Sequence, residues 1–156
     1  MTRENWDRTI AINVTGPMLL TREALRQAMI PAGGGNVQFC SSAAAQRVRA
    51  GKAHYAVAKM GLLPLARTLA HEVSEHGVRV NTLVIGLVGG ELVDNWVKRI
   101  AGQSGRPEEK VRRALVADIP MKRPVDAREV ADVSMYLASD AASALTGQAI
   151  EVTCGY

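Results

Sequence analysis

Residues 54–86, HYAVAKMGLLPLARTLAHEVSEHGVRVNTLVIG, change period at a single glycine. Up to His76, the residues Ala58, Leu62, Leu65, Leu69 and Val73 recur at three- and four-residue steps, which is the spacing of one helix face. Gly77 stands where a helix needs a residue that can turn left-handed to end it. Pro64 inside the apolar stripe should bend this helix. Val78-Arg79-Val80-Asn81-Thr82-Leu83-Val84-Ile85 then reads as a buried strand closing on Gly86.

The neighbouring stretches extend the alternation. Asn36-Val37-Gln38-Phe39-Cys40 is a short strand candidate, followed by small residues and a basic loop, Arg47 to Lys52. Before it, Thr2 to about Met29 reads as a helix: Thr2 can cap it, Trp6, Ile10, Val14, Met18 and Leu25 share a face, and Pro31-Ala32-Gly33-Gly34-Gly35 stops it. After Gly86 come an irregular helical stretch over about 91–118, a third core helix started by the capping-box pair Asp126 and Glu129 and ending near Ser139, and a last strand, Ala149 to Thr153. Strands joined through helices by short connections imply right-handed crossovers and a parallel sheet covered by helices. The expected class is α/β, in one domain of 156 residues. Three strands make a small sheet, so one edge is expected to lack its cover.

Composition narrows the partners. Hydrophobic residues make up 47% and charged residues 22%, values of a globular chain rather than a disordered or fibrous one. Only one Phe, two Trp and three Tyr are present, too few for a stacking platform on single-stranded nucleic acid. A net charge of +4 permits anion binding without requiring it. No apolar run approaches a membrane span and the polar start, Met1 to Asp7, is no signal peptide, so a cytoplasmic chain without nucleic-acid or membrane partners is expected. Cys40 and Cys154 lie far apart with no metal-ligand spacing and are expected to be small core hydrophobes.

Several patterns imitate functional motifs. His71 and His76 are five residues apart, about 140° around a helix, and cannot share one metal from one face as an i, i+4 pair does. Gly33-Gly34-Gly35 precedes a strand instead of following one, so it reads as a turn and not as a phosphate loop. Gly89-Gly90 follows a strand but is weak evidence of a ligand. The cations Lys98, Arg99, Arg106, Lys110, Arg112, Arg113, Lys122 and Arg123 read first as a solvated helix face, with a rim attracting an acidic substrate as the second reading.

One constellation carries chemistry. Tyr55 and Lys59 are four residues apart on one helix face. An ammonium held beside a phenol favours the phenolate, the form a general base needs. Ser42 stands thirteen residues before Tyr55, at the C-terminal end of the first strand, where open parallel sheets bind ligands. Asn13 interrupts an otherwise apolar helix, where its amide must find partners.

In order and spacing, Asn13, Ser42, Tyr55 and Lys59 resemble the catalytic tetrad of the short-chain dehydrogenase/reductase family. Asn13-Val14-Thr15-Gly16, Val78-Arg79-Val80-Asn81, Leu137-Ala138-Ser139-Asp140 and Thr146-Gly147-Gln148 are similar to further family landmarks, in family order. The resemblance implies the C-terminal catalytic half of a doubly wound, Rossmann-like fold with about three parallel strands. It implies an oxidoreductase that moves a hydride between NAD or NADP and a small secondary alcohol or ketone. Tyr55 would be the general acid/base, and Lys59 would assist it and touch the nicotinamide ribose. Ser42 would orient the substrate oxygen and Asn13 would hold a water. Ile85, Gly86, Leu87 and Val88 would lie along the nicotinamide, residues 87–121 would form a substrate lid, and the helices at about 2–29 and 54–76 would pair copies into a homo-oligomer.

The pattern also departs from the family. The family's first strands and its Thr-Gly-x-x-x-Gly-x-Gly cofactor turn have no counterpart in this sequence, which is expected to be a C-terminal half. Ile85-Gly86 stands where Pro-Gly is common, Gly90 where a threonine is common, and Val152-Thr153-Cys154-Gly155 replaces Val-Asp-Gly-Gly. A truncated, partner-dependent interaction module without catalysis is the alternative reading.

Overall fold

The computed structural model describes residues 1–47 and 50–155; Val48 and Arg49 of the basic loop, and Tyr156, lie outside the described residues. In chain order the elements are α1 (Arg3–Ile10), a π-helical turn (Ala11–Thr15), α2 (Gly16–Ala24), a second π-helical turn (Leu25–Met29), β1 (Gly35–Ser42), the short α3 (Ala43–Gln46) and α4 (Ala53–Val73). After a 3-10 turn (Ser74–His76) follow β2 (Val78–Ile85), α5 (Glu91–Ser104), α6 (Glu108–Val116), α7 (Ala127–Ala138) and β3 (Ala149–Val152).

The three strands form one sheet in the order β1-β2-β3, both pairs parallel, with Gly35 opposite Val78 and Thr82 opposite Ala149. The α/β expectation holds, as part of a doubly wound sheet. Central β2 is buried on both faces, which is why it reads as a near-continuous apolar run instead of an alternation. One core layer packs Leu62, Ala66 and Val73 of α4 and Leu25 of the first helix on Val37, Phe39, Val78 and Val80. The other packs Leu137 of α7 and Ala142 on Leu83, with Ile85, Ile150 and Val152 against them. Each large aliphatic side chain removed from water contributes on the order of 1.5–3 kcal/mol. The buried alanines of α4, Ala56, Ala58, Ala66 and Ala70, let the helix lie close to the sheet.

The punctuation of the sequence is realised locally. Thr2 Oγ1 accepts from the Asn5 N–H, and Asp126 with Glu129 forms the capping box of α7. Gly77 adopts φ 72°, and a Cβ there would meet the Gly33 carbonyl oxygen at 2.5 Å, so the glycine run 33–35 serves as a turn packed on the end of the α4 segment. The helix α4 runs unbroken through Pro64, which sits on its exposed side. Asn81, with no exposed surface, donates through Nδ2 to the Leu145 carbonyl at 2.8 Å and accepts from the Gln148 N–H at 3.0 Å, tying the approach to β3 onto β2.

Two expectations need correction. The first helix is not uniformly α: two π-helical turns divide it, and the first contains Asn13. Cys40 is exposed, not a core hydrophobe, and Cys154 is only half-buried. Cys40 points away from α4 on the edge strand, beyond Asn36 and Gln38, whose amides bond carbonyls of α7.

Candidate active site

The C-terminal end of β1 and the first turns of α4 are locked together by two hydrogen bonds. Ser41 Oγ donates to the Lys59 carbonyl at 2.8 Å, and Lys59 Nζ donates to the Cys40 carbonyl at 2.9 Å. The ammonium is thereby held 5.9 Å from the centroid of the Tyr55 ring, one turn earlier on the same helix face. Ser42, the last residue of β1, accepts from the Ala44 N–H at 3.2 Å and so caps α3. That bond occupies a lone pair and leaves the hydroxyl hydrogen available to a ligand oxygen.

Asn13 reaches the same place from the first helix. Its Nδ2 donates to the Thr9 carbonyl at 3.0 Å, while the backbone beside it has slipped to a wider turn, with the Gly16 N–H bonded to the Ala11 carbonyl. A π turn often marks a functional position because it re-aims one side chain.

Asn13, Ser42 and Tyr55 line one cleft of about 640 Å³, at the carboxyl ends of β1 and β2. Gly86, Leu87 and Val88, the turn leaving β2, form its floor, and Leu92, Val93, Leu115 and Ile119 close an apolar side. Ile85 is not among the lining residues; it packs into the core layer beneath α7. Lys59 stands behind Tyr55 and does not line the cleft. Gly86 is glycine for a reason other than ligand contact: a Cβ there would lie 2.8 Å from Thr153 Cα.

The turn 87–89 is pinned by a second brace. Val125 N–H donates to the Leu87 carbonyl at 2.8 Å and Gly89 N–H to the Val125 carbonyl at 2.9 Å. Beside Val125, Arg123 grips Glu129 with two bonds of 2.7 and 2.8 Å. The guanidinium first, and the Asp126 N–H second, lower the Glu129 carboxyl from 4.5 to about 2. Arg123 is raised above its ordinary value chiefly by the same hydrogen bonds to Glu129.

Six lining residues lay outside the sequence-based set: Thr9, Ala43, Ala44, Arg47, Lys52 and His54. The basic loop was visible in the sequence, but nothing in it said which way the loop turns. His54 Nδ1 is buried and has no hydrogen-bond partner in the described structure. None of the eight cations between Lys98 and Arg123 lines the cleft. Arg112 bridges to Asp94 at 2.7 Å, Arg113 to Glu109 at 2.9 Å, and Lys122 Nζ donates to the Ala117 carbonyl, so these serve the helical segment itself. Among the described residues no group of acidic, histidine or cysteine side chains could hold a metal ion, and no helix is long and apolar enough to cross a membrane.

A family model described as enoyl-(acyl carrier protein) reductase matches residues 1–156. An uncharacterized short-chain type dehydrogenase/reductase of Sinorhizobium fredii is 33% identical over 153 residues, 97% of this chain and 56% of that protein. The chain belongs to the short-chain dehydrogenase/reductase family. Of the four residues that resemble the family's tetrad, Asn13, Ser42 and Tyr55 line one cleft and Lys59 stands over the tyrosine ring. The family relative (3R)-3-hydroxyacyl-CoA dehydrogenase of Rattus norvegicus is 33% identical over 156 residues, 99% of this chain and 56% of its own length. L-sorbose reductase of Gluconobacter frateurii, a short-chain fold solved with NADPH and L-sorbose, superposes with a TM-score of 0.92 at 25% identity, covering 99% of this chain and 59% of that one. The chain thus spans a little over half the length of these relatives.

Proposed function

We propose that this chain carries the acid/base and substrate-binding half of an NAD- or NADP-dependent oxidoreductase that interconverts a secondary alcohol and a ketone. The observation that supports it most is the convergence of Asn13, Ser42 and Tyr55 on one cleft, with Lys59 Nζ 5.9 Å from the phenol ring centroid.

The donor set fits the nicotinamide riboside end of such a cofactor. Tyr55 supplies a phenol for the ribose, with the Lys59 ammonium over its ring, and Leu87 and Val88 supply an apolar surface for the nicotinamide ring. When bound, the nicotinamide supplies the hydride chemistry. Ser42 donates its hydroxyl hydrogen to the substrate oxygen and holds it toward Tyr55. Tyr55 takes the proton from the alcohol oxygen in oxidation and returns it to the carbonyl oxygen in reduction. Lys59 stabilises the phenolate across the ring, and Asn13 orients the wider turn against the same cleft. Residues 87–121 form the substrate lid, since Leu92, Val93, Leu115 and Ile119 are its contribution to the lining. The exposed apolar side chains Ile12, Leu20, Val57 and Met60 on the first helix and α4 support pairing of copies through these helices. The family relatives are oxidoreductases by name, which does not favour the non-catalytic module.

The test is Tyr55→Phe, with turnover of secondary alcohols followed by NAD(P)H absorbance. Loss of the positioned proton acceptor should lower turnover by about 10²–10⁴-fold while the fold, read by circular dichroism, is unchanged. Turnover equal to that of the parent refutes the assignment.

A further inference from the structure

Most of the polar side chains that line the cleft have a task already. Thr9 Oγ1 donates to the Asn5 carbonyl at 2.7 Å and Asn13 Nδ2 to the Thr9 carbonyl at 3.0 Å, so each turns a donor to its own helix. Ser42 and Tyr55 serve the reacting oxygen in the proposed reaction. Arg47 is engaged in an interaction of its own, and Lys52 is exposed at the end of a long flexible stem.

His54 differs from all of these. It stands in the first turn of α4, one residue before Tyr55, and is half-buried against the cleft. Of its two ring nitrogens only Nδ1 is an enclosed atom without a partner. Nε2 hydrogen-bonds to no described residue and is not enclosed, so it is the open polar atom of the ring. A neutral imidazole carries one proton, on one nitrogen or the other. A proton on Nδ1 would strand an N–H away from water with no acceptor, which folded proteins avoid more strictly than an enclosed lone pair. A proton on Nε2 meets water or a ligand instead. His54 therefore offers the cleft a hydrogen-bond donor on a rigid helix, next to the phenol that handles the proton. A simple alcohol leaves that donor unused.

We infer that His54 is a substrate-positioning residue whose Nε2–H donates to a second oxygen of the substrate, which is a diol or hydroxy ketone with its two oxygens close together. This rests on the catalytic reading of Ser42 and Tyr55 and adds the substrate class to it. With one oxygen on Ser42 and Tyr55 and the next on His54, the carbinol carbon is fixed by two points, and the remaining chain lies against Leu92, Val93, Leu115 and Ile119.

The experiment is titration of the 156-residue chain with 2-hexanol, 2,3-hexanediol and 2,4-hexanediol, with amide and histidine ring-nitrogen chemical shifts as the readout. The better of the two diols should bind at least about threefold tighter than 2-hexanol, the gain of one hydrogen bond. In the parent chain the ring proton should be found on Nε2, and the Nε2 resonance of His54 should move with that diol and not with 2-hexanol. His54→Phe, which keeps a ring and lacks the donor, should erase the diol's advantage while leaving 2-hexanol affinity unchanged; a merely structural role would move both. His54→Gln, which restores an N–H donor, should recover part of the preference. His71→Phe, on the same helix but outside the cleft, should preserve all of it. Equal binding of the three probes beside Tyr55 overturns this inference alone, as does a preference that survives His54→Phe. A ring proton on Nδ1, or a diol that binds without moving Nε2, overturns it from the parent chain alone, whatever the variants do. Failure of every probe to perturb residues around Ser42 and Tyr55 overturns the catalytic reading together with it.

Discussion

Gly86→Ala tests whether the floor of the cleft is set by a backbone contact. The added Cβ would meet Thr153 Cα at 2.8 Å and the Thr153 carbonyl oxygen at 3.3 Å, where ordinary contact begins at 3.4 Å. The ends of β2 and β3 must therefore separate by about 0.6 Å, against the Gly86 N–H bond to the Val152 carbonyl at 2.9 Å. Overpacking of this kind costs about 1–3 kcal/mol, and weakening the hydrogen bond adds up to about 1 kcal/mol. A total of about 1–4 kcal/mol corresponds to a fall in Tm of about 2–16 °C for a chain of this size. Calorimetry and urea unfolding followed by circular dichroism read it, as a lower midpoint at unchanged slope. Thr153→Ala should not rescue the variant, because the obstructing atoms are backbone. Gly102→Ala supplies the opposite sign: Gly102 is exposed inside α5 with nothing within 4 Å of a built Cβ, so alanine there should stabilise by about 0.5–1 kcal/mol. A Gly86→Ala protein as stable as the parent would refute the close-approach explanation.

Two further outcomes concern the supports of the site. Asn81→Leu keeps the branched shape of this buried side chain but removes its hydrogen bonds to the Leu145 carbonyl and from the Gln148 N–H, each contributing about 0.5–1.5 kcal/mol, so unfolding should come about 1–3 kcal/mol sooner, whereas Gln148→Ala should stay within about 0.5 kcal/mol. The Glu129 carboxyl, at about 2 when folded against 4.5 otherwise, gives stability that is fully present above pH 4.5 and is lost as pH falls toward 2. Unfolding midpoints of Glu129→Gln and the parent should therefore differ at neutral pH and converge between 4.5 and 2; a gap constant across that window would show that Arg123 does not hold the ionised form.

Much of the fold follows from local chemistry, and for that reason was legible in the sequence. Thr2, Gly77 and the pair Asp126 and Glu129 act within a turn of themselves, so their caps needed no tertiary information. The apolar period of 58–73 and the run 78–85 give a helix and a doubly buried strand whatever surrounds them. Tyr55 and Lys59 share a helix face by spacing alone, and Ser42 falls at a strand end by the same local reasoning.

What needed three dimensions was every relation between elements. Cys40 reads as apolar, but α7 reaches only as far as Asn36 and Gln38 on that face of the edge strand, which leaves it exposed. Gly86 reads as a ligand-facing glycine, but the approach of Thr153 is what requires it. The π turn at Asn13 and the burial of His54 Nδ1 depend on packing between helices that no short window encodes. The cations of 98–123 outnumber those of the basic loop, yet the fold turns Arg47 and Lys52 toward the cleft and pairs Arg112, Arg113 and Arg123 elsewhere. Sequence by itself determined which residues could do acid/base chemistry, because that is a property of side chains and their spacing along one chain. Only the tertiary structure decided which charges and apolar groups surround them, because that depends on where the loops come to rest.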